Sequence, residues 1–248
     1  MARFNIVQKD PRTLAREISG IFNILFPQLT TGFVAHLNRQ NLPLLAGTAI
    51  DKKLLSQSSI NRAMLFEIAV ARAELKITNP TSSWEECLQI AIDRQRRYYD
   101  AQLISSLTNH DQTIADIVSD NLVSVLSHIS QKEGKEINIS PSIPGFLWIS
   151  NSKGDFAIGE SLIEVKCSNK NFSSADYRQI ILYWLLSYIG SIEKNNSEWK
   201  KCFLINPRLN TAVALNFDHL ISFVSAGLPK TEIFSLFHTL VKRQYDYL

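Results

Sequence analysis

Asp155 stands nine positions before the triplet Glu164-Val165-Lys166, and the stretch between them reads as two short β-type runs separated by Gly159-Glu160. A two-residue loop at Gly159-Glu160 would set Ile158 against Ser161, Ala157 against Leu162, Phe156 against Ile163 and Asp155 against Glu164. Residues directly opposite point the same way with Cβ atoms roughly 4.5–5.5 Å apart, and two like charges there repel unless something neutralises them. A hard divalent cation bound through oxygen would do so, and that chemistry suits a metal held beside a phosphate. Lys166, two residues past Glu164, projects from the same face, while Phe156, Ile158, Ile163 and Val165 turn to the other and suit a packed core. Glu160 is a spare carboxylate that the turn carries away from this face. A half-buried hairpin with a polar outer face would account for the acid pair alone; the lysine, the register and the helix-forming residues beyond Lys166 favour chemistry.

The segment Asn171 to Ile192 reads as a helix buried on most sides, with Ser173 and Asp176 as its capping start. Gln179 and Tyr183 lie four apart and so share one face, with Asp176 a further turn back. By themselves they read as a buried amide and hydroxyl with nearby partners.

Asp, then Glu-x-Lys, then a helix bearing Gln-x-x-x-Tyr, resembles the PD-(D/E)XK nuclease superfamily, and within it the RecB-like exonuclease branch. That branch has an upstream helix reading Gly-Thr-x-x-His, which Gly47-Thr48-Ala49-Ile50-Asp51 matches except at the last position. The resemblance implies a restriction-endonuclease-like α/β core and metal-dependent hydrolysis of DNA phosphodiester bonds. It implies Mg2+ or Mn2+ held by Asp155, Glu164 and the Val165 carbonyl, with Asp51 as a carboxylate replacement for the histidine. Lys166 would orient or activate the attacking water, and Gln179 and Tyr183 would meet the nucleic-acid backbone or steady the metal shell. Members that hold an iron–sulfur cluster need four cysteines, and this chain has three, so no cluster is expected. Endonuclease and exonuclease action both remain open, as does RNA as substrate. Family members can also lose turnover and persist as nucleic-acid-binding or scaffold subunits.

Composition bounds the reading. The chain has 248 residues, 45% of them apolar, enough for one full core or two small ones. Its net charge of +3 permits a nucleic-acid partner without requiring one. Basic residues cluster at Lys52 and Lys53, at Arg94, Arg96 and Arg97 beside Tyr98 and Tyr99, and at Arg178 on the motif helix, all candidates for nucleic-acid contact. A solvated helix face explains the arginine run equally well. Cys87, Cys167 and Cys202 are widely spaced and read as core thiols of a cytoplasmic protein. Cys167 follows Lys166 onto the apolar face, against a catalytic role. His36, His110, His128, His219 and His238 show no zinc-ligand spacing. The start of the chain turns polar too soon for a signal peptide, and Ile180 to Ile192 is too short for a bilayer crossing, so no membrane association is expected.

Along the chain, helical periodicity predicts a segment from Leu14 to Phe26, one or two more between Leu44 and about Lys76, one opening at the Ser83-x-x-Glu86 capping box and running past Tyr99, and one over Gln112 to His128 that stops near Gly134. From Ile137 the pattern alternates. It leads through the hairpin and motif helix to a second hairpin pairing Cys202–Ile205 with Ala212–Leu215, then two closing helices from Asp218 and after Pro229. The order predicts one α/β domain with a central mixed sheet flanked by helices: residues 1–134 a mainly helical elaboration that contributes Asp51, residues 135–248 the catalytic core. With no P-loop or dinucleotide signature among nine glycines, unwinding or guidance would come from a partner such as a helicase or ATPase. Such accessory nucleases belong naturally to anti-phage defence.

Overall fold

The computed structural model describes residues 8–17, 19–40, 42–43, 47–96, 103–194 and 197–246. The first half is helical: α1 Pro11–Glu17, α2 Ser19–Leu25 and α3 Thr31–Arg39, the two-residue strand β1 Leu42–Pro43, then α4 Lys52–Ser56, α5 Arg62–Thr78, α6 Trp84–Gln95 and α7 Asn109–Glu133. Strands β2 Ile137–Ile139, β3 Ser142–Ile143, β4 Ser152–Lys153, β5 Phe156–Ile158 and β6 Ser161–Val165 come next. The long helix α8 Ser174–Lys194, strands β7 Lys201–Asn206 and β8 Thr211–Asn216, and helices α9 Phe217–Val224 and α10 Lys230–Asp246 complete the order.

The central sheet runs β1-β8-β7-β6-β5-β2 and is mixed. Among the described strands of this sheet only β6 and β7 pair in parallel, and α8 makes the crossover that parallel neighbours require. The hairpin has the register read from the sequence: Phe156 faces Ile163, Ala157 faces Leu162 and Ile158 faces Ser161. Gly159 takes φ +55°, the positive value that a primed two-residue turn needs at its first loop position and that glycine adopts without a Cβ clash. The second hairpin also pairs as expected, Cys202 with Leu215 and Ile205 with Ala212.

Alternation along β5, β6 and β7 sends side chains to two cores. Phe156, Ile158, Ile163 and Ile205 pack with Ala73, Leu122 and Leu126 of α5 and α7, and Val165 joins this side. Leu162, Cys202 and Leu204 go to the opposite side, against Ile180, Tyr183 and Trp184 of α8 together with Leu14 of α1 and Phe237 of α10. Each fully buried Leu, Ile or Phe contributes roughly 1.5–3 kcal/mol, so the sheet is fixed between two helical layers. A third cluster, including Met64, Leu65, Cys87 and Val118, welds α5, α6 and α7 into the N-terminal elaboration. Because α5 and α7 take part in both of the clusters they touch, the helical half and the sheet share one core across Gly134, which caps α7 at φ +61°.

The Leu14–Phe26 segment is helical where it is described, over Pro11–Glu17 and Ser19–Leu25, and Leu14, Ala15, Ile21, Phe22, Leu25 and Phe26 all reach one core. Two further expectations differ in extent. The helix after Ser83 has the anticipated reciprocal cap with Glu86 but ends at Gln95, with Arg96 as its C-cap. Gly47 to Ile50 is not helical: Gly47 has φ +98°, which no helix contains, and Asp51 instead starts the short α4.

Candidate active site at the end of β6

Glu164 is the centre of the site. It lies on the α8 face of the sheet, is 1% exposed, and its Oε1 accepts hydrogen bonds from Lys166 Nζ at 2.8 Å and from Gln179 Nε2 at 2.6 Å. Gln179 turns its own oxygen to Lys166 Nζ at 3.0 Å and donates to the Tyr183 hydroxyl at 3.2 Å. The helix that bears Gln179 and Tyr183 starts at the expected cap: Ser173 Oγ accepts from the Asp176 N–H, and Asp176 Oδ2 accepts from the Ser173 N–H at 2.7 Å. That cap also sets Asp176 Oδ1 3.8 Å from Lys166 Nζ.

Asp155 precedes β5 and closes the hairpin through its side chain: Oδ2 accepts from the Val165 N–H at 2.8 Å, and the Asp155 carbonyl accepts from Ser140 N–H. Its other oxygen, Oδ1, is 3.5 Å from a guanidinium nitrogen of Arg12. Arg12 belongs to no motif in the sequence. It donates through Nε to Tyr183 Oη at 2.9 Å and through Nη2 to the Lys153 carbonyl at 3.0 Å. Its position is fixed by the segment before α1. Lys9 N–H donates to the Trp148 carbonyl, the Lys9 carbonyl accepts from Ser150 N–H, and Asp10 caps α1 through the Arg12 N–H while accepting from Ser152 Oγ.

Burial and charge act on these groups in opposite senses. Burial, then repulsion from Asp155, pushes the Glu164 carboxyl up to about 6 against the pull of Lys166 and Arg12. Burial tends to lower Lys166, but Glu164 and then Asp155 outweigh it and hold the amine above its ordinary value, so it is a cation. Tyr183 is pushed up to about 12 by burial and by Glu164, and is a neutral hydroxyl. Burial alone would lower the Arg12 guanidinium; Tyr183, Asp155 and Glu164 raise it.

Glu164, Lys166, Gln179 and Tyr183 therefore meet as one hydrogen-bonded cluster, and Arg12, bonded to Tyr183, links it to Asp155 through an ion pair. Gln179 and Tyr183 are 2% and 0% exposed, so they brace Glu164, Lys166 and Arg12 rather than present themselves to a nucleic-acid backbone. Asp51 is elsewhere in role: it is exposed and caps α4, with Oδ1 accepting from the Lys53 N–H at 2.9 Å. Lys52 and Lys53 are exposed beside it, and Arg178 is half-buried on α8. Arg94 is spent on internal ion pairs with Glu67 and Glu74, and Arg96 pairs with Asp93 at 3.1 Å. Arg97, Tyr98 and Tyr99 lie outside the described residues. Glu160 is exposed in the turn, away from the acid pair. Cys167 packs against the helical cluster, its thiol pushed up to about 12 by burial and by Asp155.

Among the described residues no group of three or more His, Cys, Asp or Glu side chains is placed to hold a metal. The pair Asp155 and Glu164 nonetheless fits a hard cation. Glu164 Oε2 is buried with no hydrogen-bond partner among the described residues, an arrangement that costs about 1–3 kcal/mol for a polar group unless an ion or water meets it. The donors are oxygens, and a main-chain carbonyl such as that of Val165 would extend the set. A groove of about 1200 Å³ lies at the other end of β6, lined by the last turns of α7, Gly159 to Ser161 and the outer face of β7 and β8, and contains none of these residues. No helix among the described residues is long and apolar enough to cross a membrane.

No protein-family model, curated protein or solved structure matches this chain.

Proposed function

We propose that the chain is a metal-dependent nuclease with a restriction-endonuclease-like core, acting on DNA phosphodiester bonds and serving as the nuclease subunit of a larger assembly with a helicase or ATPase. One observation carries this reading: Lys166 beyond β6 and Gln179 of α8 converge on a buried carboxylate, Glu164, that retains an oxygen without a partner among the described residues. Asp155 and Glu164, with the Val165 carbonyl, would hold Mg2+ or Mn2+. When bound, such an ion neutralises the phosphate and makes water nucleophilic at neutral pH.

The chain's own residues do the rest. Lys166, kept cationic, donates from the same face as Glu164 and so orients a water or a phosphate oxygen rather than abstracting a proton. Gln179 fixes the Lys166 and Glu164 rotamers together, and α8 supplies the rigid apolar wall behind them. Charge balance gives the silent-scaffold reading its one support, because Arg12 and Lys166 already offset Asp155 and Glu164.

The test is cleavage of linear and circular DNA, with RNA alongside, in Mg2+ or Mn2+. The wild type should cleave, and Asp155→Ala and Lys166→Ala should each lose about 10² or more in rate. Equal cleavage by all three refutes the assignment. Mn2+ should raise the melting temperature of the wild type and not of Glu164→Ala; absence of any rise in the wild type would favour the scaffold.

A further inference from the structure

The two oxygens of Asp155 are not equivalent. Oδ2 is held by the Val165 N–H at 2.8 Å, while Oδ1, the oxygen left for a ligand, faces Arg12 at 3.5 Å. A cation that takes Oδ1 must therefore displace the contact with Arg12. The arginine can give it up without losing its place, since Nε stays on Tyr183 and Nη2 on the Lys153 carbonyl. Its third nitrogen, Nη1, makes no hydrogen bond among the described residues, and 37% of the side chain is exposed at the edge of the site. A partly exposed guanidinium anchored through Nε and Nη2, with Nη1 unengaged among the described residues, suits a phosphate oxygen, which arginine binds through its planar set of donors.

We propose that Arg12 is an exchangeable counter-ion of this site: it neutralises Asp155 while no divalent cation is bound, and offers its outer N–H groups to a non-bridging phosphate oxygen of the nucleic acid once the cation takes Asp155. The inference rests on the nuclease reading above and assigns the phosphate contact within it. It links two events. Metal and substrate bind in an order that keeps the site near electrical balance, because the ion's added charge frees a cation that the phosphate then offsets.

The signature is a pair of effects of opposite sign, which a residue that merely supports the fold would not produce. Arg12→Gln removes the competitor, so Mn2+ binding measured by calorimetry in the absence of DNA should tighten roughly five- to ten-fold, the size of one unit charge at a few ångströms under strong screening. Binding of a phosphorothioate-substituted duplex in Ca2+, read by fluorescence anisotropy, should weaken about ten-fold. Arg16→Gln, the same charge change at an exposed position one turn along α1, should leave Mn2+ affinity unaltered. Arg12→Met keeps the aliphatic stem and carries the same expectation, so a folding failure of one variant leaves the other to decide. Unchanged or weaker Mn2+ binding in a folded Arg12 variant, or equal tightening in Arg16→Gln, overturns the inference and leaves the nuclease reading standing. A wild type that takes up no Mn2+ overturns both.

Discussion

Replacing Glu164 by glutamine should stabilise the metal-free protein. The folded chain holds the Glu164 proton up to about pH 6, against an ordinary value of 4.5, so between these values the native state binds more protons than the unfolded one. Stability therefore falls as pH rises through that window, and the full penalty is present above it. The difference of about 1.5 pH units corresponds to about 2 kcal/mol. Glutamine matches the neutral acid in size. Its oxygen can keep the bonds from Lys166 and Gln179, and its amide nitrogen takes the place of Oε2, which has no partner to lose among the described residues. In EDTA near pH 7.5, urea or thermal unfolding should show the variant more stable by about 2 kcal/mol, a rise of roughly 4–8 °C for a chain of this size. The gain should shrink below about 1 kcal/mol by pH 5, where the wild-type acid is mostly protonated in the fold. In Mn2+ the order should reverse, since only the wild type gains binding energy. A variant less stable than wild type in EDTA at neutral pH would refute the reasoning, because it would mean that the ion pair with Lys166 outweighs the cost of burying the charge.

Asp51→Ala should cost about 1 kcal/mol, the worth of a helix cap, and leave the Mn2+-induced rise in melting temperature untouched; a lost rise would bring Asp51 into the metal site. The Cys167 thiol, pushed up to about 12, should resist iodoacetamide at neutral pH in the native protein and react at once in urea, and Cys167→Ser should retain cleavage. Rapid native labelling would show a thiolate that the packing around it does not allow.

The hairpin was legible because two independent rules agree on it. A Gly-first two-residue loop fixes which residues face each other, and the period of two fixes which face each takes, so Glu164 and Ile163 could be set on opposite faces from the sequence. Capping boxes at Ser83 and Ser173 were legible for a similar reason: donor and acceptor are three residues apart and need no tertiary information. Asp51 illustrates the converse. An aspartate directly before Lys-Lys-Leu-Leu is a helix N-cap by local chemistry, and the Gly-Thr-x-x spacing that suggested a metal ligand treated Gly47 as helical. Gly47 instead lies against Asn121, whose amide ties the Thr48 and Pro207 carbonyls together; an added Cβ would stand 1.8 Å from Asn121 Oδ1. The glycine serves a close approach of its loop to α7, a contact between distant segments that spacing does not encode.

Arg12 lies 171 residues from the tyrosine that anchors it, beyond the reach of any local pattern, yet the sequence holds one trace of it. Asp10-Pro11 marks a helix start, with a cap and a proline at the first position, and this makes Arg12 a cation in the first turn, where the exposed N–H groups already carry partial positive charge. Such a placement disfavours the helix by some tenths of a kcal/mol unless a carboxylate from elsewhere offsets it. Asp155 does so here, brought alongside because the Lys9 and Asp10 main chain is stitched to Trp148, Ser150 and Ser152 just before the hairpin. The segment that carries the cation and the segment that carries the acid are thus fixed by the same hydrogen bonds, which ties the Arg12–Asp155 ion pair to the fold and not to a chance side-chain contact.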